Sequence, residues 1–139
     1  MTRSFPDSGV LIEAARGATG LGAKLALYYL ADPDRIYLTS AFVRLETVPK
    51  AAYTGRAAES RFYEDFFRDR RTVWCRDWNR MLELADEESQ RIGLSAMDAI
   101  HVATAHLLGA DELVTTESKK KAIHRTALVK VVSLYNVAL

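Results

Sequence analysis

The sequence predicts an α/β fold: three layers, with a central, mostly parallel sheet between two layers of helices. Short β-rich runs alternate with segments of helical period, and no two of those runs are joined by a hairpin turn. Strands separated in this way close into a sheet only through crossover helices, which makes the neighbours parallel. The chain has 139 residues, of which 49% are hydrophobic and 27% charged, enough for one core and too apolar for a disordered chain. We therefore expect one domain over residues 1–139.

The elements follow from local chemistry. Thr2–Pro6 reads as a short first strand, polar except for Phe5 and ended by a proline that offers no N–H. Residues 10–15 form a first helix, residues 17–22 a glycine-rich break, and residues 23–30 a second helix closed by Asp32, Pro33 and Asp34. Arg35–Thr39 alternates apolar and polar side chains and is the second strand. Ser40 stands at an N-cap position, and a helix over residues 41–48 is expected to stop at Pro49.

Residues 56–70 carry two i,i+4 aromatic pairs, Phe62/Phe66 and Tyr63/Phe67, on a face opposed by Glu59, Arg61, Glu64 and Asp65. This stripe reads as core, with a dimer or partner groove as the alternative. A short strand at 72–75 precedes an amphipathic helix over 77–92 that turns Trp78, Met81, Leu82 and Ala85 inward and stops at Gly93. The helix from Ser95 to Gly109 is apolar nearly all round, so it is expected to be buried on more than one side. A strand at 113–115, a helical turn at 119–123 and a last strand at 128–134 complete the chain.

Several classes are excluded. The longest apolar run is the seven residues 25–31, far short of a bilayer span, so no membrane association is expected. Asp7 and Glu13 interrupt any signal-like N-terminus, and the lone Cys75 forms no internal disulfide, so a reducing cytoplasmic setting is expected. No Cys/His spacing suggests zinc. The net charge of +1 is uninformative, but beyond Glu117 the chain holds Lys119, Lys120, Lys121, Arg125 and Lys130 and no acid. That run is a solvated surface or, beside a cleft, a phosphate-binding border.

Ligands of open parallel sheets sit beyond the carboxyl ends of the strands, and that rule selects four acids. Asp7 directly follows the first strand, Glu46 lies on the helix after the second, and Glu117 follows the strand at 113–115. Asp98 sits in the first turn of the most apolar helix. Each has a plainer role too. Asp7 and Glu117 suit helix caps, Asp98 completes a near capping box with Ser95, and Glu46 suits an ion pair with Arg44 or Lys50.

Gathered together, ionised carboxylates repel by up to about 4 kcal/mol per close pair at an effective dielectric near 20. A hard cation, Mg²⁺ or Mn²⁺, is the counter-charge that an all-oxygen cluster selects. Such an ion activates water against a phosphodiester, so metal-dependent phosphate-ester hydrolysis is the chemistry inferred. Ser8, Ser40, Thr115 and Thr116 are candidates to orient the acids, or else serve only as caps and turn residues. His101 lies one turn after Asp98 on the same face, placed to bond it, to act near the metal or simply to pack in the core.

Three stretches together resemble PIN-domain nucleases: DSGVLIEAARG from Asp7, SAFVRLE from Ser40 to Glu46, and DAIHVATAHLLGADELVTTE from Asp98 to Glu117. The resemblance implies Asp7, Glu46, Asp98 and Glu117 as catalytic metal ligands for Mg²⁺ or Mn²⁺, with Thr115 as a buttress. It further implies endoribonuclease action, RNA contacts from Lys119, Lys120, Lys121 and Arg125, homodimerisation and, as in VapC-like toxins, a cognate antitoxin protein. Two positions depart from the pattern. Gly9 stands where many relatives have Asn, and Glu117 replaces the commoner Asp. The competing reading is a non-catalytic PIN-like module that binds RNA or protein. A phosphoaspartyl phosphatase is disfavoured because it needs a second Asp where Gly9 stands.

Overall fold

The computed structural model describes residues 1–17 and 20–137. In chain order the elements are β1 Thr2–Pro6, α1 Ser8–Arg16, α2 Leu21–Leu30, β2 Arg35–Thr39, α3 Ala41–Tyr53, α4 Ala57–Arg68, β3 Thr72–Trp74, α5 Trp78–Ile92, α6 Ala96–Leu107, β4 Glu112–Thr115 and β5 Val131–Ser133. Short 3₁₀ turns cover Ala122–Arg125 and Leu134–Asn136. The five strands lie in the order β3-β2-β1-β4-β5, and every neighbouring pair is parallel. This is the expected three-layer α/β/α architecture.

Side-chain alternation along the strands divides the core in two. Phe5, Leu38 and Leu113 enter the larger cluster with Met81 of α5 and Val102 and Ala103 of α6. Their neighbours Tyr37 and Val114 enter a second cluster with Val10, Ala26 and Tyr29. Full burial of side chains such as Phe5 and Leu38 contributes roughly 1.5–3 kcal/mol each.

The polar first strand turns out to be the middle strand, and its polar groups are paired. Arg3 donates to the Leu108 carbonyl at 2.7 Å, and Ser4, fully buried, bonds the Tyr29 hydroxyl and donates to Glu112 at 2.6 Å. Arg35 adds a bond to Glu112 at 3.1 Å and an ion pair with Asp32 at 2.5 Å. Pro6 ends the strand, so the missing N–H falls where the ladder is already finishing.

Several boundaries differ from expectation, for physical reasons. Helix α3 does not stop at Pro49 but runs on to Tyr53. The ring deprives the Leu45 carbonyl of its partner, yet both Leu45 and Pro49 face solvent, where water can satisfy it. The opposite face, Val43, Thr47, Val48 and Ala51, is buried and holds the helix in register. Helix α2 begins at Leu21, inside the expected glycine break, of which residues 18 and 19 lie outside the described residues. The last strand shrinks from seven residues to three, and the turn expected at 119–123 forms at Ala122–Arg125.

Helix α5 buries Met81, Leu84, Ala85 and Glu88, while Trp78 and Leu82, expected to point inward, are exposed. They lie on the flank of the helix, where Trp78 packs edge-on against Phe42 of α3. Glu59, expected on the solvent face of α4, is buried instead. Arg16 reaches it at 2.8 Å and the Tyr63 hydroxyl at 3.2 Å, so the charge is carried inward with its partners.

Candidate functional site

Because β1, β2 and β4 run parallel, their carboxyl ends share one edge of the sheet. Asp7 leaves β1 there, tied back by its N–H to the Val114 carbonyl at 3.0 Å. Ser40 leaves β2, and Thr116 and Glu117 leave β4. Glu46 lies two turns into α3, and α6 brings Asp98 in its first turn.

Asp7 is the buried member of the set, 8% exposed. Its carboxylate accepts the Val10 N–H at 3.1 Å, capping α1, and a hydrogen bond from the Thr115 hydroxyl. Burial is the largest influence on its proton and pushes its pKa up from 3.8 to about 6. The two hydrogen bonds and the His101 ring pull it down, and the charge of Asp98 pushes it further up. The cap role foreseen for Asp7 is therefore real, but a cap alone does not need a buried carboxyl facing a second acid.

Thr115 is fully buried, and its hydroxyl also accepts the Glu117 N–H at 3.0 Å. One hydroxyl thus joins the end of β1 to the end of β4. Gly9 has a reason of its own: a Cβ there would stand 2.4 Å from the Thr116 hydroxyl and 3.3 Å from an Asp7 oxygen. The Thr116 side chain occupies the space over the first turn of α1. Ser40 caps α3 through the Phe42 N–H at 3.1 Å, whereas the Ser8 hydroxyl bonds to no other described residue.

Glu46 pairs with neither Arg44 nor Lys50. Arg44 is taken by Glu64 at 2.9 Å, and Glu46 Oε1 meets His101 Nε2 at 2.5 Å. Of the roles open to His101, core packing holds, since the ring is buried against Phe5, and its hydrogen bond goes to Glu46. It reaches across to α3 because α6 packs there, and the sequence signal for this pair was only the shared face of Asp98 and His101. Glu117 is exposed, and its carbonyl accepts a bond from His124 Nε2 at 3.0 Å. Lys119, Lys120, Lys121, Arg125 and Lys130 are all exposed. Lys119, His124, Lys130, Ser133 and Asn136 line a hollow of about 420 Å³ at the open edge of β5.

The fit to a divalent ion is good in kind and incomplete in number. Asp7 and Asp98 supply hard oxygen donors, and the charge on Asp7 is opposed chiefly by its burial and least by Asp98. Among the described residues, however, no three His, Cys, Asp or Glu side chains are gathered closely enough to hold a metal ion. Glu46 is engaged with His101, and Glu117 stands open to solvent.

A second surface escaped the sequence reading in part. Tyr63 and Phe67 are buried as expected, but Phe62 and Phe66 are only partly so. With Leu27, Leu30 and Tyr37 they line a groove of about 270 Å³ between α2 and α4. Beside it α2 exposes Leu21, Leu27 and Tyr28, the last 71% accessible.

A five-stranded, all-parallel sheet between two layers of helices, with acids at its carboxyl edge, defines the class as a three-layer α/β/α protein. The PIN domain family profile matches residues 4–127, and the chain belongs to that family. Among solved structures, the chain is similar to one of VapBC2 from Rickettsia felis bound to a DNA fragment from their promoter (TM-score 0.70, 15% identity, 95% of this chain and 98% of that one). A toxin-antitoxin complex from Klebsiella pneumoniae matches with TM-score 0.69 and 22% identity, over 96% of this chain and 99% of the other. FitAcB from Neisseria gonorrhoeae matches with TM-score 0.61 and 15% identity, over 96% and 99%. At these identities the likeness is one of fold. No curated protein sequence matches the chain. Among the described residues no helix is long and apolar enough to cross a membrane.

Proposed function

We propose that this protein is a Mg²⁺- or Mn²⁺-dependent endoribonuclease of the toxin kind, acting in the cytoplasm as one domain and restrained by a cognate antitoxin. The observation that carries the proposal is the buried Asp7 carboxyl, held up to about 6 beside Asp98 at the carboxyl edge of the sheet. A cation there would offset the cost of ionising the buried Asp7. Asp7, Glu46, Asp98 and Glu117 would hold it, and when bound it supplies an activated water and a counter-charge for the phosphodiester. Thr115 fixes the Asp7 carboxylate, and Thr116 and Ser40 shape the strand ends around it. Ser8, at the start of α1, has a free hydroxyl beside Asp7 in sequence and completes the polar rim.

Lys119, Lys120, Lys121 and Arg125 follow Glu117 and are exposed, so an RNA backbone lying across the acids would meet them next. An unpaired strand or loop suits a site whose basic border is flat and open. The groove between α2 and α4, with exposed Leu21, Leu27 and Tyr28, fits an apolar segment of an antitoxin. The similar structure from Klebsiella pneumoniae is a toxin-antitoxin complex, which supports such a partner. A second apolar surface, Leu45 and Tyr53 on α3 and Trp78 and Leu82 on α5, is the face we assign to a homodimer.

One observation favours a second reading: the acids are not gathered in threes. On that reading the chain is a non-catalytic PIN-like module that binds RNA or protein. Cleavage of a mixed RNA pool separates the two. Cutting that requires Mg²⁺ or Mn²⁺ and is lost in folded Asp98→Asn supports the nuclease. RNA binding without cutting by either ion supports the module.

A further inference from the structure

His101 is the one partner that fixes Glu46. Among the described residues the Glu46 carboxylate has no other hydrogen bond or ion pair: Arg44 is held by Glu64, and Lys50 is exposed. The ring itself is closely packed. It is 3% exposed and packs against Phe5 of β1, with ring centroids 5.6 Å apart. It lies one turn beyond Asp98 on α6 and near enough to Asp7 to act on its proton. A single buried ring therefore contacts Glu46 and stands near Asp7, on the helix that carries Asp98.

The hydrogen-bond inventory defines how the ring is used. His101 Nδ1 is buried without a partner, while Nε2 lies 2.5 Å from Glu46. A buried N–H left unpaired costs more than a bare lone pair, so the proton belongs on Nε2 and is donated to the carboxylate. A Glu on a helix otherwise samples several rotamers, and holding one of them in advance removes the ordering cost that a bound cation would have to meet.

We propose that His101 is the positioning residue of the metal site, donating its Nε2–H to hold the Glu46 carboxylate at the rim occupied by Asp7 and Asp98. This rests on the reading of Glu46 as a metal ligand, and the experiment separates the two. Mn²⁺ binding to the full chain is measured by calorimetry for wild type, His101→Leu, His101→Gln, Glu46→Ala and the Glu46→Ala/His101→Leu double variant, with melting curves to verify folding. The expected result is a loss of roughly 10- to 100-fold in Mn²⁺ affinity for His101→Leu. His101→Gln, whose amide can donate from the same place, recovers most of it, and His101→Leu adds nothing once Glu46 is Ala.

The side-chain ¹⁵N spectrum of the metal-free protein gives a readout independent of the ion. It should show a slowly exchanging Nε2–H on His101 that Glu46→Ala abolishes. Unchanged Mn²⁺ affinity in His101→Leu, or an equal further loss in the Glu46→Ala background, overturns the positioning role while leaving the metal site standing. A wild-type protein that binds no Mn²⁺ although the Nε2–H signal depends on Glu46 overturns the metal reading, and the positioning role with it. If His101→Leu does not fold, the comparison of His101→Gln with Glu46→Ala and the proton signal decide the matter in the same terms.

Discussion

Replacing Asp7 by Asn should stabilise the metal-free protein, because the native side chain carries a charge that its surroundings oppose. Burial, reinforced by Asp98, raises the Asp7 pKa from 3.8 to about 6. At pH 7 the folded protein must ionise a group that ionises more readily when unfolded, a difference of about two pKa units or roughly 3 kcal/mol. Asn keeps an oxygen for the Val10 N–H, so the cap on α1 survives, and a net gain of about 1–3 kcal/mol remains. The sign in pH follows. A raised carboxyl stabilises the fold fully below its unfolded pKa, near 4, and that contribution is lost as pH rises through about 6.

Other acids tilt the curve the opposite way. Burial opposes the charge of Glu59, but Arg16, Tyr63 and Arg56 outweigh it, and Arg91 acts first on Glu88. Both are held below the usual carboxylate range, so their stabilisation is lost as pH falls. Urea unfolding of wild type and Asp7→Asn from pH 4 to pH 8 without divalent ions cancels these common terms. The difference should be small at pH 4, grow to its full size near pH 7, and shrink again on adding Mg²⁺, which stabilises the wild type alone. An Asn variant less stable than wild type at pH 7, or a difference that does not vary with pH, would refute the electrostatic reasoning and leave Asp7 a helix cap.

Further outcomes are expected elsewhere in the chain. Gly9→Ala should be near neutral in the native background, because the new Cβ meets the Thr116 hydroxyl, but stabilising by about 0.5–1 kcal/mol in Thr116→Ala, as paired thermal melts would reveal. Replacing Lys119, Lys120 and Lys121 by Gln should weaken binding to single-stranded RNA at every sequence and reduce the slope of log affinity against log salt by about 2, read by anisotropy over a salt series. Pro49→Ala restores a helical N–H and should stabilise α3 by roughly 1 kcal/mol or more in urea unfolding. Arg16→Met leaves the Glu59 carboxylate with only Tyr63 and the longer pair to Arg56 and should cost roughly 1–2 kcal/mol, with most of that cost removed by a second change, Glu59→Gln.

The layers and the strand order class were legible because alternation and turn chemistry are local properties. RIYLT and LVT read as strands from their own residues, and Ser40, Asp77, Ser95 and Gly93 mark helix ends in the structure as they do in the sequence. The failures arise where distant packing decides. Pro49 is a stop signal only when nothing holds the helix beyond it, and Val48 and Ala51 do hold it. Trp78 and Leu82 are apolar enough for a core but lie on the flank of α5, and Glu59 is charged enough for solvent but is drawn in by Arg16. The last strand is short because only Val131–Ser133 has a partner in β4.

The site shows the same division. The rule of carboxyl ends picked out Asp7, Glu46 and Glu117, since it needs only topology. It did not foresee the Glu46–His101 pair, which depends on how α3 and α6 face each other across the sheet edge, nor that Thr116 fills the space over Gly9.

Anomalous scattering from crystals of this protein soaked in Mn²⁺ tests the central claim most directly. The expected result is a manganese peak about 2.1 Å from carboxylate oxygens of both Asp7 and Asp98, absent in Asp98→Asn. Fully soaked crystals with no peak at that edge of the sheet, or with manganese bound only elsewhere, would contradict the claim that these acids form a divalent-ion site.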